Sequence, residues 1–335
     1  MRRSRRALLP AAATLLALVI GSTAPAQAVD APREGLGITA STTTTARLAD
    51  GTPVDSPESM AALARYWTQE RMAKAIPADL PLRATAAPEG PDRSGPTGKP
   101  VSVPPMAPRA DGENGVQLTS RGVGMVFYTH PADGRDYFCS ASALASPSRQ
   151  MVITAGHCVN EGGTNGTPGR YARNWIYIPD YRSGQRPLGT FQAKELRALT
   201  NWVNNSDLQS DVAMVTTHPL GGKKLIDVTG GNGLSVNYDH RQTVTAFGYS
   251  LDHDSAQLQR SCKKTAAPVG APDNRVEIQC AFRGGGGPWL RNYSEAQQLG
   301  FVNGVVSTLV TGGWNRSSHF GPSVKALWDQ QGPRT

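Results

Sequence analysis

A single histidine beside a cysteine is the most reactive feature of this sequence. Residues 153–158 read Ile-Thr-Ala-Gly-His-Cys, so His157 directly follows a short apolar stretch. A neutral imidazole can take up a proton near neutral pH, and a carboxylate on its other ring nitrogen fixes the tautomer and stabilises the imidazolium. Asp211, at the head of the apolar run 212–215, is the candidate carboxylate. The pattern indicates proton-transfer chemistry, although a histidine beside a cysteine is by itself more often structural.

A second stretch is unusually rich in glycine. Residues 280–289 read Cys-Ala-Phe-Arg-Gly-Gly-Gly-Gly-Pro-Trp. Glycines suit a loop that must aim backbone N–H groups at a developing oxyanion. No serine, threonine or cysteine occurs between 281 and 293, and Ser294 follows the strand predicted at 288–291. The loop can therefore supply backbone donors but no nucleophilic side chain.

These motifs together resemble the trypsin-like serine peptidases, particularly the secreted bacterial members related to glutamyl endopeptidases. The phrase at 152–158, the tetrapeptide Cys-Ser-Ala-Ser at 139–142 and Asp-Val-Ala at 211–213 carry the resemblance, which spans about 120–330. It implies that His157 is the general base and that Asp211 orients it. The position of the nucleophilic serine, just before Gly-Gly-Pro, is occupied by Gly285.

The resemblance also assigns the oxyanion-hole region. It comprises Arg283, Gly284 and Gly286, with Arg283 at the position where a donor glycine is expected. An arginine there could close the hole, and a one-residue shift of the loop would put Gly284 in that position without providing a nucleophile. The aspartate that pairs with a new amino terminus in trypsin-like zymogens is replaced by Gly284, as it is in many secreted bacterial relatives.

The amino-terminal third of the 335-residue chain predicts a signal peptide and a leader. Four arginines, an apolar run over 7–20 and Ala-Gln-Ala at 26–28 predict a secretory signal cleaved after Ala28. Residues 29–118 contain twelve of the 25 prolines and no cysteine or histidine, which predicts a mostly extended or disordered leader or propeptide. One amphipathic helix is expected at 57–75, with Ser56 as its cap and Pro57 in its first turn. The leader is expected to be dispensable for the folded core.

From residue 119 to 335 the sequence predicts an all-β domain. The length allows two domains, or one all-β domain of about 200–220 residues. The pattern predicts eleven short strands and a final helix at 322–329. The resemblance implies a chymotrypsin-like double β-barrel with a C-terminal helix. The predicted strands are 123–128, 136–144, 150–154, 175–179, 189–193, 212–216, 243–249, 257–263, 275–280, 288–291 and 300–308.

The four cysteines, Cys139, Cys158, Cys262 and Cys280, predict two disulfides in an exported protein. Cys-x-x-Cys spacing is absent, which argues against a zinc site, and neither a metal nor a cofactor is predicted. Sequence alone allows three pairings. The resemblance implies Cys139 with Cys158 and Cys262 with Cys280.

Charge and composition restrict the partners. The net charge is +8, but no basic run with interleaved aromatic residues indicates a nucleic-acid site. After removal of the signal no stretch predicts a membrane anchor, and we expect a secreted monomer.

Three functional interpretations follow. The first is a pseudopeptidase that keeps His157 and Asp211 and binds peptides or a partner protein without cleaving them. The second is an active extracellular serine endopeptidase whose nucleophile is not identified by the motif. The third is a structural secreted β protein without a functional cleft. The absence of an aspartate near the expected base of the specificity pocket argues against a preference for Lys or Arg side chains.

Overall fold

Short apolar segments bounded by glycine, proline and aspartate form strands throughout the chain. The computed structural model describes residues 41–78, 80–81, 98–109, 120–280 and 282–335. The predicted signal peptide and the remainder of the predicted leader lie outside the described residues. The strands are β1 (Ser41–Thr45), β2 (Ile76–Pro77), β3 (Leu80–Pro81), β4 (Val101–Val103), β5 (Val123–Thr129), β6 (Asp136–Leu144), β7 (Met151–Thr154), β8 (Arg173–Pro179), β9 (Phe191–Leu199), β10 (Ala213–Thr217), β11 (Gly233–Val236), β12 (Thr243–Tyr249), β13 (Gln259–Thr265), β14 (Ala267–Gly270), β15 (Asp273–Gln279), β16 (Pro288–Ser294), β17 (Leu299–Val305), β18 (Thr308–Val310) and β19 (Trp314–Ser317).

Helices are few and short. They are α1 (Pro57–Tyr66), α2 (Gln69–Ala73), α3 (Thr200–Asn205), α4 (Leu225–Thr229) and α5 (Pro322–Gln331), with 3₁₀ turns at Gly156–Cys158, Leu208–Ser210 and Asp254–Ala256. The all-β prediction and the C-terminal helix are confirmed. None of the helices among the described residues is both long and apolar enough to cross a membrane.

The first half of the domain is a closed barrel. Its strands follow the order β1-β9-β10-β7-β6-β5-β8, and pairing of β8 with β9 closes the sheet. Every residue of β5, β7 and β10 is buried. Burial of these β-branched and aromatic side chains is the main stabilising contribution.

The second half is formed by two sheets. One has the order β13-β12-β16-β17-β11-β4 and the other β14-β15-β19-β18-β3. A separate apolar cluster that includes Val244, Ile278 and Trp289 fills this half. Helix α5 buries Val324 and Leu327.

Each of the eleven predicted strand segments overlaps an observed strand, but the pattern missed three strands of the domain. These are β11, β14 and β19. The segment predicted as one strand at 300–308 is also two strands, β17 and β18, separated by Val306 and Ser307. Both disulfides form with the pairing that the resemblance implied, Cys139–Cys158 and Cys262–Cys280.

The expectation of a mostly extended or disordered leader is wrong for residues 41–78. Strand β1 pairs along its whole length with β9 and is part of the first barrel sheet. Leu63, Trp67 and Met72 are buried in the barrel core, with exposed fractions of 0%, 2% and 3%. Few apolar residues suffice here because they add to an existing core and do not need to build one of their own. The position of the boundary between leader and domain remains a prediction.

The single helix predicted at 57–75 is also wrong, because the structure has two. Ser56 caps α1 and Pro57 opens it, as expected. The helix ends at Tyr66, and the indole N–H of the next residue, Trp67, reaches into the barrel and donates to the carbonyl oxygen of Asn174 at 2.6 Å. Thr68 then caps α2 by accepting from the N–H of Arg71. Insertion of Trp67 and the new cap interrupt the helical path.

The buried indole provides a test of the leader's structural role. Trp67→Ala should lower the free energy of unfolding by about 3–5 kcal/mol, the usual cost of truncating a buried large aromatic side chain. Denaturant unfolding of the purified chain measures it. Leu220→Ala, which truncates a side chain that is 41% exposed, is the control and should cost less than about 1 kcal/mol. Equal midpoints for the two variants would contradict an integral leader.

A stacked histidine pair in the second half predicts a dependence of stability on pH. The rings of His240 and His319 lie 4.1 Å apart and nearly parallel. Burial lowers the pKa of His319, and the nearby His240 lowers it further, while the bond to the Tyr238 carbonyl opposes them. Because the unfolded chain then binds the proton more tightly, this stability is fully present above about pH 6.5 and is lost as the pH falls below it. Denaturant unfolding at pH 7.5 and at pH 5.0 gives the loss in the free energy of unfolding between the two, and this loss should be smaller for His319→Gln than for the unaltered chain. Equal losses would exclude the pair as a contributor to the pH dependence.

Candidate active site

His157 lies on a short turn fixed by a disulfide. Strand β7 ends at Thr154, and the 3₁₀ turn Gly156–Cys158 follows. Cys158 is bonded to Cys139 of β6. A ring nitrogen of His157 and the two sulfurs lie within 4.8 Å of one another. The imidazole, only 6% exposed, is thereby held against a rigid covalent frame.

Asp211 is the partner of His157, as the sequence predicted. It follows the 3₁₀ turn Leu208–Ser210 and precedes β10. Its Oδ1 accepts from the backbone N–H of His157 and its Oδ2 from Nδ1 of the ring, both at 2.8 Å. Because a carboxylate can only accept, Nδ1 carries the proton and Nε2 of the neutral ring is left as the basic atom.

Ser307 completes this network, and sequence reasoning missed it. Its hydroxyl donates to Oδ2 of Asp211 at 2.6 Å. Three donors therefore satisfy a carboxylate that is fully buried. The sequence did contain one signal, a serine within the largely apolar stretch 305–310. The strand predicted at 300–308 included this serine, so it was not considered separately.

Gly156 permits the close approach of histidine and aspartate. A Cβ at this position would lie 2.9 Å from Oδ1 of Asp211 and 2.7 Å from the Trp202 ring. Both distances are shorter than real Cβ contacts, so any side chain would displace the carboxylate or the indole. Glycine at 156 is a requirement of the site's geometry.

The glycine loop packs against the histidine turn through its backbone. The carbonyl oxygen of Gly285 accepts from the N–H of Ser140 at 2.7 Å, one residue from the disulfide. Gly286 donates to the carbonyl of Val306 at 2.7 Å, one residue from Ser307. The loop is thus bonded both to β6, beside the disulfide, and to the segment that carries Ser307.

Gly286 allows no other residue at its position. Its φ is +80°, which L side chains rarely adopt, and a Cβ there would lie 2.2 Å from Oγ1 of Thr154 and 3.0 Å from Sγ of Cys158. The residue after Gly285 is therefore in direct contact with the disulfide beside His157.

Arg283 does not enter the loop's interior. Its side chain is exposed, and Nε lies 3.1 Å from Oδ2 of Asp252. Its backbone N–H donates to the hydroxyl of the buried Ser250 at 2.9 Å. The N–H that the resemblance assigned to the oxyanion hole therefore already has an acceptor within the protein.

Among the described residues, the buried Nε2 of His157 has no hydrogen-bond partner. Ser294 is the last residue of β16, which begins at Pro288, about 20 Å away at the usual rise per residue of a strand. The Ser294 hydroxyl accepts a hydrogen bond from the backbone N–H of Gln297. Nε2 can accept a proton or a hydrogen bond from a bound molecule.

A metal at this position is not favoured by the ligand chemistry. Cys139, His157 and Cys158 are close enough to share an ion, but both sulfurs are in a disulfide and are not thiolates.

Solved structures extend these observations. The protease Anisep from Arthrobacter nicotinovorans is 31% identical, with a TM-score of 0.58, over 64% of this chain and 97% of that protein. The chain belongs to the trypsin-like serine proteases. A thermostable serine protease, AL20, from an extremophilic microorganism is 28% identical with a TM-score of 0.59, over 64% of this chain and 99% of that protein. The chymotrypsin-like fold implied by the resemblance is confirmed.

A glutamyl endopeptidase shares the fold alone, at 14% identity and a TM-score of 0.51 over 69% of this chain and all of that protein. No protein family model matches the sequence, and no curated protein matches it.

The three-donor network predicts a structural cost for altering Asp211. Asp211→Asn keeps the shape but replaces one acceptor oxygen with a donor, which leaves a buried N–H or O–H without its partner. Denaturant unfolding should show that the free energy of unfolding of this variant is lower by about 1–3 kcal/mol. Asp329→Asn, whose carboxylate pairs with Lys325 at the surface, should lose less than about 0.5 kcal/mol. A loss at Asp211 no larger than at Asp329 would mean that the network does not stabilise the fold.

Proposed function

We propose that this protein is a secreted, non-catalytic member of the trypsin-like serine proteases that binds peptide segments or a partner protein. The observation that carries the proposal is the packing of the glycine loop, through its backbone, against the turn that carries His157. Its backbone is held in place at Gly285, which the resemblance assigns to the position of the family's nucleophilic serine, and residues 282–293 contain no serine, threonine or cysteine. His157 and Asp211 would then be a retained base and its orienting group without a nucleophile to activate.

The Arg283 backbone supports the same conclusion. An oxyanion hole needs N–H groups that are free to bond the substrate oxygen as charge develops. The Arg283 N–H is engaged by the Ser250 hydroxyl, and the Gly286 N–H by Val306. Two of the loop's N–H groups are therefore committed to the protein itself.

The retained network favours binding as the remaining role. Nε2 of His157 is a buried acceptor, and a buried polar group without a partner is costly. A donor on a bound peptide, such as a backbone N–H or a side-chain hydroxyl, would satisfy it.

Location and partners follow from the sequence and the disulfides. The predicted signal peptide and two disulfides support export to an oxidising compartment. We propose a monomer that acts without a cofactor or nucleic acid. A relation to glutamyl endopeptidases is supported by the shared fold.

The alternative is an active extracellular serine endopeptidase with an unidentified nucleophile. The intact contacts of Asp211 with His157 and Ser307 favour it, since a carboxylate bonded to Nδ1 is the arrangement that orients a catalytic histidine. A fluorophosphonate probe separates the two functions because it labels only an activated nucleophile.

Restoring the hydroxyl tests the proposal. The unaltered protein and Gly285→Ala should not be labelled by fluorophosphonate, whereas Gly285→Ser should be, since loss of a triad serine costs about 10⁶ in turnover. His157→Ala in the Gly285→Ser background should abolish labelling. Adding Ser250→Ala to Gly285→Ser should accelerate labelling by releasing the Arg283 N–H.

Labelling of the unaltered protein, together with peptide hydrolysis that persists after repurification and is lost in His157→Ala, would establish the alternative. Absence of labelling in Gly285→Ser with and without Ser250→Ala would show that Gly285 does not occupy the nucleophile position.

A further inference from the structure

We propose a second binding site, for a phosphate group, around the guanidinium of Arg291 in the second half of the domain. The site is defined as Arg291 of β16 together with the hydroxyl groups of Ser102, Ser235 and Tyr238, and is called the Arg291 site. None of these residues belongs to the candidate active site. The inference goes beyond the proposed peptide binding, and either can fail without the other.

Neighbouring strands of one sheet bring the groups of the Arg291 site together. Arg291 of β16 pairs with Phe301 of β17. Strand β17 runs beside β11, and Ser235 of β11 pairs with Ser102 of β4. Tyr238 follows the end of β11 by two residues. Strand pairing therefore fixes the backbone of each strand residue at the site.

Two aromatic rings hold the guanidinium of Arg291. Its central carbon lies 3.7 Å from the centre of the Tyr238 ring and 5.6 Å from the centre of the Phe301 ring. Tyr238 is itself held, because its carbonyl oxygen accepts from Nε2 of His319 at 2.7 Å. Stacking on a ring face restrains a guanidinium and leaves the N–H groups at its edges able to donate. The charged group is thus positioned before a ligand arrives, which lowers the entropic cost of binding.

The charge of Arg291 is not neutralised by any carboxylate in the part of the chain that the structure describes. Nε and Nη2 donate to Oγ of Ser235 at 3.4 and 3.2 Å, and Nη2 donates to Oγ of Ser102 at 3.5 Å. A charge-assisted bond from a guanidinium to an anionic oxygen is usually about 2.7–2.9 Å long. Asp239, the acidic residue next to Tyr238, accepts from the backbone N–H of Arg241. The guanidinium therefore keeps its charge, and Nη1 has no hydrogen-bond partner among the described residues.

The three hydroxyl groups have one proton more than they use among themselves. The hydroxyl oxygen of Tyr238 lies 2.9 Å from Oγ of Ser102, which lies 3.4 Å from Oγ of Ser235. Each hydroxyl carries one proton, and each bond between two hydroxyls uses one. Two bonds join the three groups, so one O–H is left without an acceptor at the site. Together with the two N–H groups of Nη1, this surplus of donors around a positive charge suits an oxyanion.

The arrangement of the donors favours a phosphate over a carboxylate. A carboxylate has two oxygens in one plane, and the flat edge of a guanidinium can satisfy both of them. A phosphate has further oxygens outside that plane, and one of them can accept from the remaining hydroxyl while two accept from Arg291. A free phosphate ion and a phosphate ester present the same oxygens to the site.

Titration of the full chain with inorganic phosphate at pH 7.5 tests the site. The side-chain Nε–H signal of Arg291 in ¹H–¹⁵N NMR spectra, assigned by its absence from the spectrum of Arg291→Lys, should shift with a dissociation constant on the order of 1 mM. Broadening of the ³¹P signal of phosphate gives the affinity of each variant. Arg291→Gln should weaken binding at least about tenfold. Arg291→Lys keeps the charge but loses the flat fork, and should weaken binding about threefold or more.

Arg135→Gln is the matched control, since it removes the same charge from an exposed side chain of the first barrel and should leave the affinity unchanged. Near-UV circular dichroism checks folding, and Arg291→Lys decides the test where Arg291→Gln does not fold. Acetate should bind more weakly than phosphate. Binding of glycerol 1-phosphate more tightly than inorganic phosphate would support the site with an ester as its ligand, and weaker binding would support it with the free ion. An unshifted Arg291 signal, equal weakening by Arg135→Gln and Arg291→Gln, or equal affinity for acetate and phosphate would overturn the proposal.

Discussion

The buried carboxylate of Asp211 is the interaction on which the site depends. It is completely inaccessible, and its charge is tolerated because the His157 backbone, the His157 ring and the Ser307 hydroxyl all donate to it. The donors come from a turn of the first barrel and from the segment between β17 and β18 in the second half. The same contacts that orient the imidazole therefore also join the two halves of the domain, so the network can be retained for structural reasons even where the chemistry is lost.

A loop held by its backbone explains how a glycine can stand at position 285 without loss of the fold. The bonds of Gly285 to Ser140 and of Gly286 to Val306 involve main-chain atoms, and the positive φ of Gly286 depends on the absence of a side chain there. A side-chain hydroxyl contributes nothing to these interactions. Fold and nucleophile are thus physically separable at this loop, which is why family membership does not decide activity.

Local patterns predicted much of the domain and failed where tertiary contacts decide. The His157–Asp211 pair and the overlap with eleven strand segments followed from motifs and from apolar segments with turn residues at their ends. The pairing of the two disulfides followed from the family resemblance, because the cysteine positions alone allow three pairings. Ser307 was missed because a serine between two strands has no local signature; its importance comes from Asp211, 96 positions away in the sequence. The leader was misjudged for a related reason. Its low apolar content forbids a core of its own, but Trp67 and Met72 use the barrel's core.

The leader therefore has two parts with different physical characters. Residues 41–73 are attached by buried side chains and by β1, so that separating them would expose apolar surface and an edge of the first barrel sheet. The short strands β2 and β3 that follow are attached mainly through main-chain pairing on β6 and β18. Opening of such short pairings exposes little apolar surface and needs no global unfolding.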